Sequence, residues 1–278
     1  MRSVGVELMI GGMAMFLEKH GPGTRLPVVK RTFQECSMSG GKPFPVPLGL
    51  LVMLLSLGPA KHAFSSGTVE AITFALTPGE LYLPAAEIAG LLHWKFRRDE
   101  KSGRVFFNDR PIPPSAVRKL LDGADLVSIG DLGSAGAALF RESDGRRLRI
   151  SSNGNECTVF PGEKRVEVNL ANQKLRAWQG QRLVLESRIS SGRGGSTPAG
   201  EFRAGPYKAR MHYSSRYANA PMPWSVQING HIFIHGFRHV PDYPASHGCI
   251  RLPLTEGNPA KFFYEWIDQG TPVRVLKT

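Results

Sequence analysis

Cysteine is scarce in this chain. Among its 278 residues there are three, Cys36, Cys157 and Cys249. An odd, widely spaced set is not a disulfide framework, and no Cys-x-x-Cys spacing marks a metal site. Pairing of Cys157 with Cys249 is conceivable in an oxidising compartment, but it would silence Cys249. Acidic residues are also few, 23 Asp and Glu against 35 Lys and Arg, which leaves a net charge of +12. Such a charge suits nucleic acid, an anionic membrane or an anionic polymer. No clustered Lys/Arg helix and no nucleic-acid motif is found, so diffuse attraction or plain solubility is the reading, and no nucleic-acid partner is expected. Long hydrophobic runs are missing as well. The run Leu48–Leu57 is too short for a comfortable membrane span. The glycine-rich stretch Ser191–Gly200 lacks the Lys-Ser/Thr of a phosphate loop and no clear helix follows it.

What is present points to turns and short strands. Gly 31 and Pro 21 are high, and hydrophobic content of 41% suffices for one or two cores. Residues 1–63 read as a leader. A basic flank at Lys42, the apolar run and the small residues Gly58-Pro-Ala60 form a secretory signal. Translation is expected to start at Met38, with a long leader or uncleaved anchor as the alternative. Export across the cytoplasmic membrane, to a periplasm or cell wall, follows from that signal.

Residues 64–125 read as a small α+β domain. It has a strand over Ala71–Leu76, a helix over Leu83–Leu92, a hairpin between His93 and Asn108, and a helix from Ser115 through Leu121. Residues 126–162 read as linking strands around the turn Ser143-Asp-Gly145, with Cys157 a half-buried bystander. Residues 163–278 read as a mainly β domain. Arg165–Leu170, Leu175–Trp178 and Arg182–Ser190 alternate as a meander, and Asn229-Gly230 is a hairpin turn. One helix is expected over about 257–270, with Ala260, Phe263, Trp266 and Ile267 on one face, before a closing strand at Pro272–Leu276.

The chemistry gathers in this last domain. Ile234-His235-Gly236 ends an apolar strand, and Ser246-His247-Gly248-Cys249-Ile250-Arg251 follows in a Gly/Pro-rich loop. A nucleophilic cysteine needs a thiol, a base, a group that holds the base, and donors for an oxyanion. Cys249 is the thiol, and His235, fixed at a strand end, is the preferred base over His247. Gly236 through its carbonyl, or Ser246, would hold the other imidazole nitrogen. The amides of Gly248 and Cys249 would face the oxyanion. Arg251 would hold a substrate carboxylate or the loop itself. From the residues alone two alternatives stay open, a zinc set of His235, His247 and Cys249 with His231 or His239, and a purely structural cluster.

The segments Ile234-His235-Gly236 and Ser246-His247-Gly248-Cys249-Ile250-Arg251-Leu252, with Ser190-Ser-Gly192 and Ser196-Thr-Pro-Ala-Gly200-Glu-Phe202 upstream, resemble the L,D-transpeptidase catalytic domain, the YkuD-like fold. The resemblance spans roughly 164–276. It implies a β-sandwich or barrel with one or two helices and no cofactor or metal. Cys249 would be the nucleophile and His235 the base, with Gly236, Ser246, His247, Gly248 and Arg251 around them. It also implies peptidoglycan stem peptides as partners, a 3-3 cross-link as product, peripheral association with the wall or membrane surface, and acylation of Cys249 by carbapenems. The interval from His235 to Ser246 is short for such a domain, which bears on the size of the substrate lid. A weaker resemblance, over Leu81–Trp94, is to the small domain at the N-terminus of copper amine oxidases, a stalk.

Overall fold

The computed structural model describes residues 66–278, all within one compact unit. Residues 1–65, on which the expected leader and signal, Met38 and Cys36 fall, lie outside the described residues. The first module holds strands β1 (Ser66–Ala71), β2 (Tyr82–Pro84), β3 (Phe96–Arg98), β4 (Val105–Phe107) and β5 (Arg110–Pro111). It continues with β6 (Val117–Lys119), β7 (Asp125–Ser128), β8 (Ala138–Arg141), β9 (Leu148–Ser152) and β10 (Asn155–Pro161). They make three small sheets, ordered β1-β10-β9-β8, β2-β7-β6 and β3-β4-β5. Helix α1 (Ala85–Leu91) starts after Pro84 and buries Ala85, Ile88 and Ala89, the i, i+3, i+4 stripe of an amphipathic helix.

Three details differ from the sequence expectation. The first strand lies earlier, at 66–71, because it takes β10 as a parallel neighbour, whereas Ile72 makes only a single bridge to Tyr82. No helix runs from Ser115 to Leu121. Pro114–Ala116 makes one 3-10 turn and β6 then pairs with β7, since a helix so short is marginal without strong packing. Residues 126–162 share a core with the preceding segment, where Ile150, Cys157 and Val159 pack with Leu83, Ile88 and Phe107. Cys157 is fully rather than half buried, and burial pushes its thiol up to about 11. Both described cysteines are free.

The second module is built on β11 (Lys164–Asn169), β12 (Lys174–Gln179), β13 (Arg182–Arg188), β14 (Gly200–Arg203) and β15 (Lys208–Ser214). It is completed by β16 (Ala220–Asn229), β17 (Ile232–Phe237), β18 (Ile250–Pro253), helix α2 (Pro259–Trp266) and β19 (Pro272–Leu276). One sheet has the order β13-β12-β11-β19-β14 and the other β15-β16-β17-β18. Alternation sets the faces: Val166, Val168, Leu175, Val273 and Val275 point inward from the first sheet, and Val226, Ile234, Ile250 and Leu252 from the second. Phe263 and Trp266 of α2 complete that core. The helix is shorter than 257–270. Asn258 accepts from the Lys261 amide at 3.0 Å and Pro259 occupies the first turn, while Ile267 is already extended.

The modules meet through buried groups. Gln179 Nε2 donates to Thr73 Oγ1 at 2.9 Å, and its Oε1 accepts from the Thr73 amide at 3.1 Å and from Trp266 Nε1 at 3.0 Å. Phe74 meets Phe262 edge-on, and Arg182 pairs with Glu87.

Candidate active site

The site is laid out by the pleat of β17 and β18. Ile234 enters the core, and Gly236 presses on α2, where a Cβ would come within 3.1 Å of Ala260 Cβ. Phe233, His235 and Phe237 therefore share the opposite face. The parallel register sets His235 beside Arg251 and Ile234 beside Ile250, and Cys249 immediately precedes β18. The sequence separates His235 from Cys249, and the parallel pairing brings their two segments side by side.

His235 is buried, and its Nδ1 lies 2.9 Å from the Gly236 carbonyl oxygen. A carbonyl only accepts, so Nδ1 carries the proton and Nε2 of the neutral ring is the bare base. Burial pushes the imidazole down to about 4, against the raising effect of its hydrogen bond to the Gly236 carbonyl and with help from the nearby Arg251 and His212. Gly236, and not Ser246, is the group that orients the ring. Burial also raises the Cys249 thiol, while the Phe233 amide and the Arg251 charge pull it down. Cys249 Sγ points at the His231 carbonyl oxygen, 3.6 Å away. The resting pair is thus neutral thiol and neutral imidazole.

A pH effect on stability follows. His235 binds a proton near 6.5 when unfolded and only near 4 when folded. Its contribution is complete above pH 6.5 and is lost as pH falls through 4, with a ceiling of about 3 kcal/mol. In urea titrations, His235→Gln should flatten the drop in stability between pH 7 and pH 4.5 relative to the parent protein.

The loop around Cys249 is tied down by serines and threonine. Ser246 Oγ donates to the Cys249 carbonyl at 2.6 Å and accepts from the Gly248 amide at 3.0 Å. That occupies one of the two amides expected to face an oxyanion and leaves the Cys249 amide as the donor of that pair. The glycine-rich stretch is a brace. Thr197 Oγ1 donates to the Gly248 carbonyl and accepts from the Gly192 amide, each at 2.7 Å. The Arg193 amide donates to the Ser246 carbonyl at 3.0 Å, and Ser190 Oγ to that of Tyr243 at 2.7 Å. Gly192 is where the two stretches touch. A Cβ there would stand 2.7 Å from Thr197 N and 2.8 Å from Gly248 Cα. Gly192→Ala should cost about 1–3 kcal/mol by overpacking and slow modification of Cys249. Thermal melts and thiol-labelling rates check both.

His247 is placed for another task. Its ring stacks on Tyr217 at 4.4 Å and 15°, and Arg193 Nη2 lies 3.0 Å from its Nε2. Guanidinium only donates, so Nε2 is engaged and cannot serve the thiol. Arg251 is half-buried, lies 3.9 Å over the Phe237 ring and reaches the Ala245 carbonyl at 3.4 Å. It holds the loop.

Residues 163–275 match the YkuD family, the L,D-transpeptidase catalytic domain. The L,D-transpeptidase (Yku) from Stackebrandtia nassauensis is 26% identical over 42% of this chain and 56% of that one, at TM-score 0.37. The L,D-transpeptidase (residues 123-326) from Xylanimonas cellulosilytica is 28% identical over 41% and 61%, at TM-score 0.36. The L,D-transpeptidase from Mycobacterium smegmatis covers 77% of this chain and 96% of its own, at 13% identity and TM-score 0.38. The chain therefore spans little more than half the length of the first two solved structures. No curated protein matches it.

Within the matched domain, the zinc alternative lacks its ligand geometry: no group of three or more His, Cys, Asp or Glu gathers among the described residues. His239 is exposed, and the His231 carbonyl accepts from Cys249 Sγ. Some contributors were not singled out from the sequence. The Phe233 amide has no side-chain signal. Gln173, buried at positive φ, accepts from the Ser191 amide at 2.8 Å and donates to Ser191 Oγ at 2.9 Å.

Proposed function

We propose that the protein is an exported peptidoglycan L,D-transpeptidase with Cys249 as nucleophile and His235 as base. The observation that carries the reading is the His235–Gly236 hydrogen bond. It leaves Nε2 of His235 bare, on a strand that pairs with the segment directly after Cys249, within a domain that matches the L,D-transpeptidase catalytic domain. For attack, Cys249 Sγ must leave the His231 carbonyl and meet Nε2 of His235. His235 takes the proton as sulfur attacks the carbonyl that precedes the terminal D-residue of a stem tetrapeptide. The oxyanion is met by the Cys249 amide. Collapse expels the D-residue, whose amine takes the proton from His235, and a thioester remains. A side-chain amine of a second stem then gives its proton to His235, attacks the thioester and forms a 3-3 cross-link, releasing the thiol.

A base near 4 beside a raised thiol disfavours a standing ion pair, so proton transfer accompanies attack rather than preceding it. The basic chain suits an acidic wall polymer and peripheral association with the wall or membrane surface. Export rests on the leader, and the periplasm or wall is the compartment we infer. The first module, whose Leu81–Trp94 stretch resembles a stalk domain, is read as a spacer or docking unit set rigidly against the catalytic module through Gln179. Incubation with disaccharide-tetrapeptide tests the reading by product mass: a cross-linked dimer supports it, a tripeptide alone points to L,D-carboxypeptidase activity, and an unchanged substrate contradicts it.

A further inference from the structure

The pocket over Cys249 has a charge that the mechanism above does not use. It is a small cavity of about 130 Å³, bordered by Arg216 and Tyr217 on one side and by His212, His231, His247 and Cys249 on the other. No Asp or Glu lines it. Arg193 stands behind His247 with its guanidinium on the ring. Among the described residues, neither Arg193 nor Arg216 is paired with a carboxylate. The third arginine nearby, Arg251, lies on the Phe237 ring and reaches the Ala245 carbonyl, with its Nε buried and unpartnered. An exposed guanidinium on the lining of a thiol pocket that holds no acid, with a second one behind His247, offers a cradle for an anion.

We propose that Arg216, with Arg193 acting beside and through His247, recognises the free α-carboxylate of the residue that leaves, and so selects peptides cleaved one residue from their C-terminus. The proposal rests on the acyl-transfer reading of Cys249 and adds its specificity. The chemistry requires the proximity: in a terminal residue the carboxylate is only a few bonds from the attacked carbonyl carbon. A cation next to the thiol therefore meets that carboxylate. A stem longer by one residue presents a neutral amide in the same place and forgoes the charge-assisted, bidentate pairing that a carboxylate makes with a guanidinium. Tyr217, stacked on His247, holds that pair at the rim.

Two measurements test it, and they fail separately. In the first, the intact protein is alkylated with iodoacetate and with iodoacetamide, and the Cys249 peptide is followed by mass spectrometry. Each reagent puts its acid or amide next to the carbon that sulfur attacks, and rates are normalised to free cysteine. The carboxylate reagent should be favoured at Cys249 by about tenfold, and Arg193→Gln with Arg216→Gln should return the ratio to that of free cysteine. Both arginines are exposed, so the fold is expected to survive. Equal ratios in parent and variant overturn the proposal without touching the nucleophile assignment. In the second, a tetrapeptide free acid is compared with its C-terminal amide. The parent should discriminate against the amide by about tenfold or more, through KM, and the double variant should not. Discrimination unchanged in the variant overturns the proposal. Turnover of neither peptide counts against the acyl-transfer reading, and the alkylation ratio still decides the arginine assignment.

Discussion

Cys249→Ala is expected to abolish acyl transfer and leave the fold untouched. The thiol is half-buried at the edge of a pocket, and its polar contacts are a weak S–H bond to the His231 carbonyl and the amide of Phe233. Removing one sulfur atom there opens no sealed core cavity, so a melting temperature close to that of the parent should accompany the loss. Cys249→Ser should be nearly as inert. An imidazole held near 4 is a poor acceptor for an alcohol proton, several powers of ten harder to remove than that of a thiol. Cross-linking assays beside thermal melts check the pair. A serine variant with substantial activity would mean that His235 is far more basic in the complex than its burial indicates.

His235→Gln should lower kcat/KM by about two to four orders of magnitude, the range for removal of a general base. Glutamine can still reach the Gly236 carbonyl, so the strand end should hold its geometry while the proton acceptor is gone. The pH profile separates chemistry from structure. In the parent, the acid limb should fall near 4, where the ring takes up a proton. In the variant, reaction depends on spontaneous ionisation of a thiol raised by burial, so the residual rate should climb with pH through the alkaline range. A variant with a parent-like profile at reduced amplitude would assign His235 a structural part only.

Local patterns carried much of this arrangement into the sequence. Alternation located β11, β12 and β19, Asn229-Gly230 located the β16–β17 turn, and the Ser-His-Gly-Cys run marked the loop that leads into β18. What stayed hidden depends on distant partners. Glycine-rich residues 191–200 look like a flexible loop until Thr197 is seen bonding Gly248 from 51 positions away. The strand at 66–71 is specified by β10, far along the chain, and not by its own weak pattern. The role of His247 could not be read from its nearness to Cys249, because Tyr217 and Arg193, both remote in sequence, take up its ring and its free nitrogen.

The central claim is a thioester on Cys249, and mass spectrometry of the intact protein tests it most directly. After brief exposure to disaccharide-tetrapeptide without an amine acceptor, the protein should gain the mass of the substrate less its terminal D-residue. Digestion should place that mass on the peptide containing Cys249, and hydroxylamine should remove it. Turnover without any such adduct in the parent, or the same adduct in Cys249→Ala, would contradict the account.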